Sequence, residues 1–240
     1  MLIFDNLTLR HGGFKLSADT VFPAGDVISL IGPSGAGKST LLSAIAGFLS
    51  PASGRVLWQG EDLSDLTPGQ RPVSMLFQDN NLFPHLTALQ NVGLGLRADL
   101  RLSGQETETC KAALAQVGLD GFGDRKPGAL SGGQQSRVAL ARVLVADRPL
   151  VLLDEPFAAL GPALKDEMLD LVRNKLHAAG KTVIMVTHDP ADARRVAGLS
   201  ALVAGGQVAG PVATKKLLDN PPPALADYLG QGWQAFRKRG

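Results

Sequence analysis

The sequence has 240 residues, of which 45% are hydrophobic and 19% charged, and its formal net charge at pH 7 is +2. This composition is typical of a compact domain and excludes a disordered chain, and so small a charge does not favour nucleic-acid binding by electrostatics. The single cysteine, Cys110, excludes an internal disulfide and indicates a reducing compartment. The first residues lack the pattern of a signal peptide, and no run of about 18 apolar residues predicts a membrane span.

Short apolar runs bounded by glycine, proline and polar residues predict the strands of a sheet. They are Leu2–Thr8 as an edge strand, Val27–Ile31, Val56–Trp58, Val73–Phe77, Leu150–Leu153, Thr182–Val186, and a hairpin of Ala201–Val203 with Gln207–Val208 around Gly205-Gly206. Val27–Ile31 is almost continuously apolar, which is typical of a strand buried on both faces.

Helical spacing of apolar residues alternates with these strands and predicts an α/β domain with a largely parallel sheet. Residues 1–85 and 148–212 form the predicted core, residues 86–147 an inserted helical subdomain, and residues 213–240 a C-terminal helical tail. Helices are predicted at Leu41–Ala46, Cys110–Val117, Val138–Val145 and Leu164–Leu176. In the tail, apolar residues near helical spacing and a basic end favour packing against the body over a membrane-surface helix; they are Leu225, Tyr228, Leu229, Trp233, Phe236 and Arg237–Arg239.

A glycine-rich loop follows the strand Val27–Ile31 and precedes a helix, in the pattern G-x-x-x-x-G-K-[ST]. Its residues are Gly32, Pro33, Ser34, Gly35, Ala36, Gly37, Lys38, Ser39 and Thr40. Backbone N–H groups of such a loop and the positive end of the helix dipole form an anion site. We therefore predict ATP binding, with Lys38 on the β- and γ-phosphates and Ser39 on Mg²⁺.

Two carboxylates follow the strand Leu150–Leu153 and complete this prediction. Asp154 is placed to bind Mg²⁺, and Glu155 to orient or deprotonate the attacking water. An acidic pair after a strand is more often a solvated turn, but the phosphate loop reverses that preference.

The segment Leu130-Ser131-Gly132-Gly133-Gln134 resembles the signature motif of the ATP-binding-cassette (ABC) ATPases, and it precedes the acidic strand as in that family. Its residues also predict a helix from Gln134 to Ala146 that is capped by Ser131, where Gly132 and Gly133 let backbone donors approach an anion. The resemblance implies a P-loop NTPase core with a mixed or parallel sheet, an N-terminal antiparallel β subdomain and an inserted α-helical subdomain.

The same resemblance assigns two further residues and a partner. Gln78 matches the family's glutamine that binds Mg²⁺ and senses the transport domain, and His188 matches the switch histidine at the γ-phosphate. A second copy of the chain is implied, because each ATP would lie between Lys38 of one copy and Ser131 of the other.

Three positions depart from the family pattern. The region that would stack on adenine is Arg10-His11-Gly12-Gly13-Phe14, so His11, Phe14 or Arg10 must serve. Gly161 stands where the segment Phe157–Gly161 commonly has aspartate, and Ser136 replaces a common glutamine.

Several segments resemble importer ATPases, and together they are most similar to those of bacterial thiamine importers. They are Pro51–Gly54, Arg71–Gln78, Asn80–Thr87 and Gln90–Leu96. The resemblance implies a transmembrane permease, indirectly a periplasmic solute-binding protein, and a position on the cytoplasmic face of the bacterial inner membrane. Leu82–Leu86 is predicted to line a groove for the permease, to pack between subdomains, or to do both.

Alternatives remain at this stage. The ATPase does not touch the solute, so an importer of iron(III), a polyamine or sulfate remains an alternative. Such importers often carry a C-terminal regulatory domain, which we do not expect in a chain of this length. A non-transport ABC ATPase and a regulatory subunit that hardly hydrolyses ATP are the other classes. Long coiled-coil inserts would favour the non-transport ATPase, and loss of Glu155 or His188 would favour the regulatory subunit.

Overall fold

The computed structural model describes residues 1–158 and 160–237, with side chains through residue 230. The strands are β1 (Leu2–His11), β2 (Phe14–Phe22), β3 (Val27–Ile31), β4 (Ser53–Trp58), β5 (Glu61–Asp62), β6 (Val73–Leu76), β7 (Leu150–Asp154), β8 (Thr182–Val186), β9 (Leu199–Ala204), β10 (Gln207–Val208) and β11 (Val212–Ala213). The helices are α1 (Lys38–Ala46), α2 (Ala88–Gly93), α3 (Gly104–Gln116), α4 (Gly132–Ala146), α5 (Pro162–Leu171), α6 (Pro190–Val196), α7 (Thr214–Asp219) and α8 (Pro223–Arg237). A π-helical turn, Val172–His177, continues α5.

The sheet is mixed, in the order β5-β4-β1-β2-β10-β9-β3-β8-β7-β6, with β11 on β9. Strands β9, β3, β8, β7 and β6 pair in parallel, whereas β5, β4, β1 and β2 pair antiparallel. This confirms the predicted α/β fold with its antiparallel β subdomain. The prediction that Leu2–Thr8 is an edge strand was wrong, because β4 and β2 cover both edges of β1.

The parallel strands are buried on both faces, as their apolar runs predict. In β7, Val151 and Leu153 pack into a core with the helices α2 to α5. Leu150 and Leu152, which point the other way, pack into a core with α1 and the antiparallel strands. Two apolar layers therefore hold the carboxyl ends of β3, β7 and β8 at fixed positions.

Helices α2, α3 and α4 lie between β6 and β7 in the sequence and form the predicted helical insert. Thr87, Ser103 and Ser131 cap them, each accepting a hydrogen bond at its side-chain oxygen from the backbone three residues on. No helix among the described residues is long and apolar enough to cross a membrane.

The tail packs against the body, as predicted for its first turns. Leu225 is fully buried in a cluster with Ile31 and Leu218, and Tyr228 and Leu229 pack against that cluster. Helix α8 is kinked at Gly230, where the backbone is not helical. The predicted apolar positions Trp233 and Phe236 and the basic end at residues 237–239 lie outside the part of the chain whose side chains are described.

Candidate active site

The phosphate loop connects β3 to α1 over the carboxyl edge of the parallel sheet. Gly32 has a φ of +153°, and a Cβ there would lie 2.0 Å from the Val203 carbonyl oxygen. Gly37 has a φ of +97°, and a Cβ there would lie 2.7 Å from the Phe14 ring. Both positions therefore require glycine, and the turn they permit presents backbone N–H groups in front of α1.

Lys38, the first residue of α1, lies almost buried within this loop, with 7% of its surface exposed. Its Nζ donates to the carbonyl oxygens of Gly32 and Pro33 at 2.7 and 2.8 Å. Burial lowers the pKa of Lys38, and the Glu155 and Asp154 carboxylates oppose that shift. The loop thus holds a desolvated ammonium group whose present partners are neutral oxygens, so an anion would be a stronger partner.

Asp154 ends β7 and meets the phosphate loop across the sheet. The Ser39 hydroxyl donates to Asp154 Oδ1 at 3.0 Å. Burial raises the pKa of Asp154, while the hydrogen bond from Ser39 and the charge of Lys38 act in the opposite sense. A hydroxyl and a carboxylate oxygen side by side suit Mg²⁺, because this ion prefers oxygen ligands. Water and substrate oxygens usually supply its remaining ligands. The described residues contain no group of three or more His, Cys, Asp or Glu that could hold a metal ion.

Glu155 and His188 face each other beyond Asp154. His188 Nδ1 lies 3.0 Å from Glu155 Oε2, which is hydrogen-bonding distance. Glu155 has a φ of +43°, unusual for a residue with a side chain, and its N–H donates to the Val186 carbonyl at 3.1 Å. Residues with side chains that are held in this backbone conformation cluster at active sites and switch regions.

Gln78 lies on an exposed turn after β6. Arg142 of α4 holds that turn, donating from its two terminal nitrogens to the Asn80 and Asn81 carbonyls at 2.9 Å each. The fully buried Asn91 holds the next segment by accepting from the Phe83 N–H at 2.8 Å. Sequence reasoning missed Arg142 and Asn91; their one signal is a polar residue inside an apolar helical pattern.

The three candidates for the adenine contact are not equivalent in the structure. The Phe14 ring is half-buried and packs onto the phosphate loop at Gly37. Arg10 and His11 are exposed at the end of β1, and His11 pairs with Phe14 across the hairpin. His11 is therefore the more accessible of the two rings, and the residue that contacts adenine stays a prediction.

The signature segment lies at the start of α4. Ser131 Oγ accepts from the Gln134 N–H at 3.3 Å, and Gln134 Oε1 accepts from the Ser131 N–H at 2.9 Å. Gly133 is buried, and a Cβ there would lie 2.1 Å from Leu164 Cδ2, whereas Gly132 has open space around it. In residues 1–158 and 160–237 no hydrogen bond joins Ser131 or Gln134 to the phosphate loop or to Asp154, Glu155 or His188.

Gly161 ends the segment Phe157–Gly161 and is the residue before α5. Its φ of −65° is ordinary, no side chain caps the helix, and a Cβ there would meet nothing within 4 Å. Glycine is therefore not required at this position. Ala159, within the same segment, lies outside the described residues.

Comparison with known proteins agrees with this geometry. Residues 17–158 match the family model described as ABC transporter. Proteins named thiamine import ATP-binding protein ThiQ are 59% identical over 230 residues in Ruegeria sp. (strain TM1040) and in Cereibacter sphaeroides, covering 96% of this chain and 100% of each relative. A structure of the ATP-binding cassette MJ0796, a dimeric post-hydrolysis state with ADP and Pi, has a TM-score of 0.78 at 33% identity, covering 89% of this chain and 99% of that one. The resemblance predicted from the motifs is confirmed, and the chain belongs to the ABC transporter family of ATPases.

Proposed function

We propose that this chain hydrolyses ATP for a membrane importer of thiamine. The main support is that the charges of Lys38, Asp154 and Glu155 interact at one edge of the sheet. Ser39 donates a hydrogen bond to Asp154, and His188 lies within hydrogen-bonding distance of Glu155. These groups are a phosphate-binding cation, an oxygen pair for Mg²⁺ and a base with its partner, which are the parts that phosphoryl transfer needs.

The proposed mechanism assigns each step to a side chain of this chain. Lys38 exchanges its two carbonyl partners for the β- and γ-phosphates. Glu155 orients and deprotonates the attacking water, and His188 holds the Glu155 carboxylate while its ring meets the γ-phosphate. Ser39, Asp154 and Gln78 would hold Mg²⁺, which when bound would neutralise charge on the phosphate oxygens. His11 provides the adenine contact.

A second copy of the chain completes the site. Ser131 and Gly132 are exposed and present the N-terminus of α4 outward, which suits an anion supplied by another molecule. The dimeric state named for the MJ0796 structure supports a pair of chains, and we propose that the two chains pair head to tail. ATP then forms part of the interface, so that binding closes the dimer and hydrolysis opens it.

A transmembrane permease is the proposed partner at the turn that carries Gln78. Phe48 and Phe83 are 58% and 44% exposed, and the ring of Phe77, directly before Gln78, lies tilted beside that of Phe48 with centroids 5.9 Å apart. These rings provide an apolar surface around the turn that carries Gln78, suited to a helix of the permease. The chain would then work at the cytoplasmic face of the inner membrane, with a periplasmic binding protein delivering solute.

The assignment of the base is tested by Glu155→Gln. We expect ATP binding to persist while turnover falls by about 100-fold or more, because the base is lost. Light scattering with ATP should then detect a lasting dimer. Glu108→Gln, on the exposed face of α3, is the control and should retain parental turnover. Parental turnover in Glu155→Gln would remove Glu155 from this role.

The solute is tested by uptake into membrane vesicles that contain the chain with its permease and binding protein. We expect ATP-dependent accumulation of labelled thiamine that is lost with Lys38→Ala. Accumulation of iron(III), a polyamine or sulfate in place of thiamine would replace the substrate and leave the ATPase assignment standing.

A further inference from the structure

Tyr228, the single tyrosine of the chain, reaches the loop that carries His188. Its hydroxyl donates to the His188 backbone carbonyl at 2.9 Å across 40 residues of sequence. The imidazole of the same residue lies 3.0 Å from Glu155 Oε2. Tyr228 therefore links helix α8 of the tail to a residue of the proposed active site.

Tyr228 is also held by apolar packing. It packs against the cluster that contains Ile31 and Ala193. Ile31 directly precedes Gly32 of the phosphate loop, and Ala193 lies on α6, directly after the His188 loop. The hydroxyl is thus mounted on the same framework that carries the phosphate loop.

The rest of the His188 loop is fixed on either side of His188. Asp189 donates its N–H to Thr187 Oγ1 at 3.0 Å, and its carboxylate accepts from Lys165 at 2.6 Å. The His188 side chain itself is 55% exposed, so packing does little to orient it. The hydrogen bond from Tyr228 acts on the backbone carbonyl of His188, between these two anchored neighbours.

We propose that Tyr228 is a positioning residue for ATP hydrolysis, whose hydroxyl holds the His188 backbone so that the imidazole stays on Glu155. This rests on the proposed function, since it takes His188 as the residue that meets the γ-phosphate. Burial, with the nearby Glu155 and Asp189 carboxylates, raises the pKa of Tyr228. The hydroxyl therefore keeps its proton and remains a donor at neutral pH.

The positioning role is tested first without ATP, by the imidazole NMR signals of the full chain. There are four histidines, and His188→Ala identifies the signal of interest. We expect Tyr228→Phe to shift or broaden that signal and to leave the other three in place. Leu229→Ala is the matched control, because it loosens the same cluster without removing the hydroxyl, and it should leave the His188 signal unchanged.

The second measurement is ATP turnover in a double-mutant cycle. Tyr228→Phe should lower kcat by about three- to tenfold, the range of one hydrogen bond, with KM for ATP near the parental value. The same change in a His188→Ala background should have little further effect. An unmoved His188 signal in Tyr228→Phe, or an equal loss in both backgrounds, overturns the proposal. Parental turnover in His188→Ala overturns the proposed role of His188 instead, while a shifted signal would still establish the contact.

Discussion

The two halves of the proposed ATP site differ in how far one chain completes them. In the phosphate-loop half, Lys38 is 7% exposed and interacts with Asp154 and Glu155, so the charged groups already constrain one another. In the signature half, Ser131 and Gly132 are exposed, and the cap of α4 is formed within that segment itself. In the first half, charged side chains already interact with one another, whereas the second half is an exposed helix N-terminus that could accept an anion.

We expect mutations in the two halves to affect different quantities, ATP affinity in the phosphate-loop half and turnover in the signature half. Lys38→Ala should weaken ATP binding by about 100-fold or more, because it removes a charge-assisted partner from a desolvated site. Ser131→Arg should leave the ATP affinity of the single chain unchanged and lower turnover by about 100-fold, the scale of one lost oxyanion donor. Calorimetric titration and phosphate release measure the two quantities, with Lys111→Ala on α3 as control.

Equal loss of ATP affinity in both variants would contradict this difference between the two halves. It would mean that Ser131 contributes to the ATP site of its own chain, and the head-to-tail arrangement would have to be abandoned.

The glycines of the two halves should differ in the same direction. Gly32→Ala places a Cβ 2.0 Å from a backbone oxygen that cannot move aside, so we expect the free energy of unfolding to fall by about 3 kcal/mol. Gly132→Ala places its Cβ in open space at a helix start, and should change stability by less than about 0.5 kcal/mol. Urea unfolding of both variants tests this, and comparable losses would contradict it.

Much of this contrast could be predicted from the sequence, because both halves are local. The phosphate loop, the acids after β7 and the cap at Ser131 each depend on neighbours within a few residues, and the structure places them as their patterns indicate. The assigned roles of the site residues and the domain boundaries stay predictions.

What could not be predicted depends on long-range contacts. The alternation of Leu2–Thr8 shows which face is buried but carries no information on whether another strand pairs beside it, so β1 was wrongly expected at an edge. The contact of Tyr228 with His188 and that of Arg142 with Asn80 span 40 and 62 residues. Apolar periodicity likewise predicts a helix to Leu176 but not its change to π-helical geometry at Val172–His177.

The phosphate-loop half should also carry an electrostatic cost that the signature half lacks. Burial raises the pKa of Asp154 above its ordinary value of 3.8. The folded protein therefore holds this proton to a higher pH than the unfolded chain, so stability falls as pH rises above 3.8. Asp154→Asn should raise the Tm of the nucleotide-free protein at neutral pH, and the difference should shrink as pH approaches 3.8.

Asp170→Asn is the control of opposite sign. The Arg195 guanidinium lowers the pKa of Asp170, so its ionisation stabilises the fold above the ordinary pKa, and that stability is lost as pH falls. This variant should lower the Tm at neutral pH. An unchanged or lower Tm in Asp154→Asn would show that ionised Asp154 does not destabilise the fold.

The smallest expected effect lies at Gly161, between the two halves. The residue precedes α5, whose Leu164 packs against Gly133 of the signature segment. An aspartate would fit, since a Cβ meets nothing within 4 Å, and its carboxylate would cap α5 and favour the helix dipole. Gly161→Asp should therefore stabilise the fold by about 0.5 kcal/mol. Gly161→Ala adds a Cβ without a cap and should be destabilising, so equal stabilisation by both variants would exclude capping. Urea unfolding of both variants measures these changes in stability.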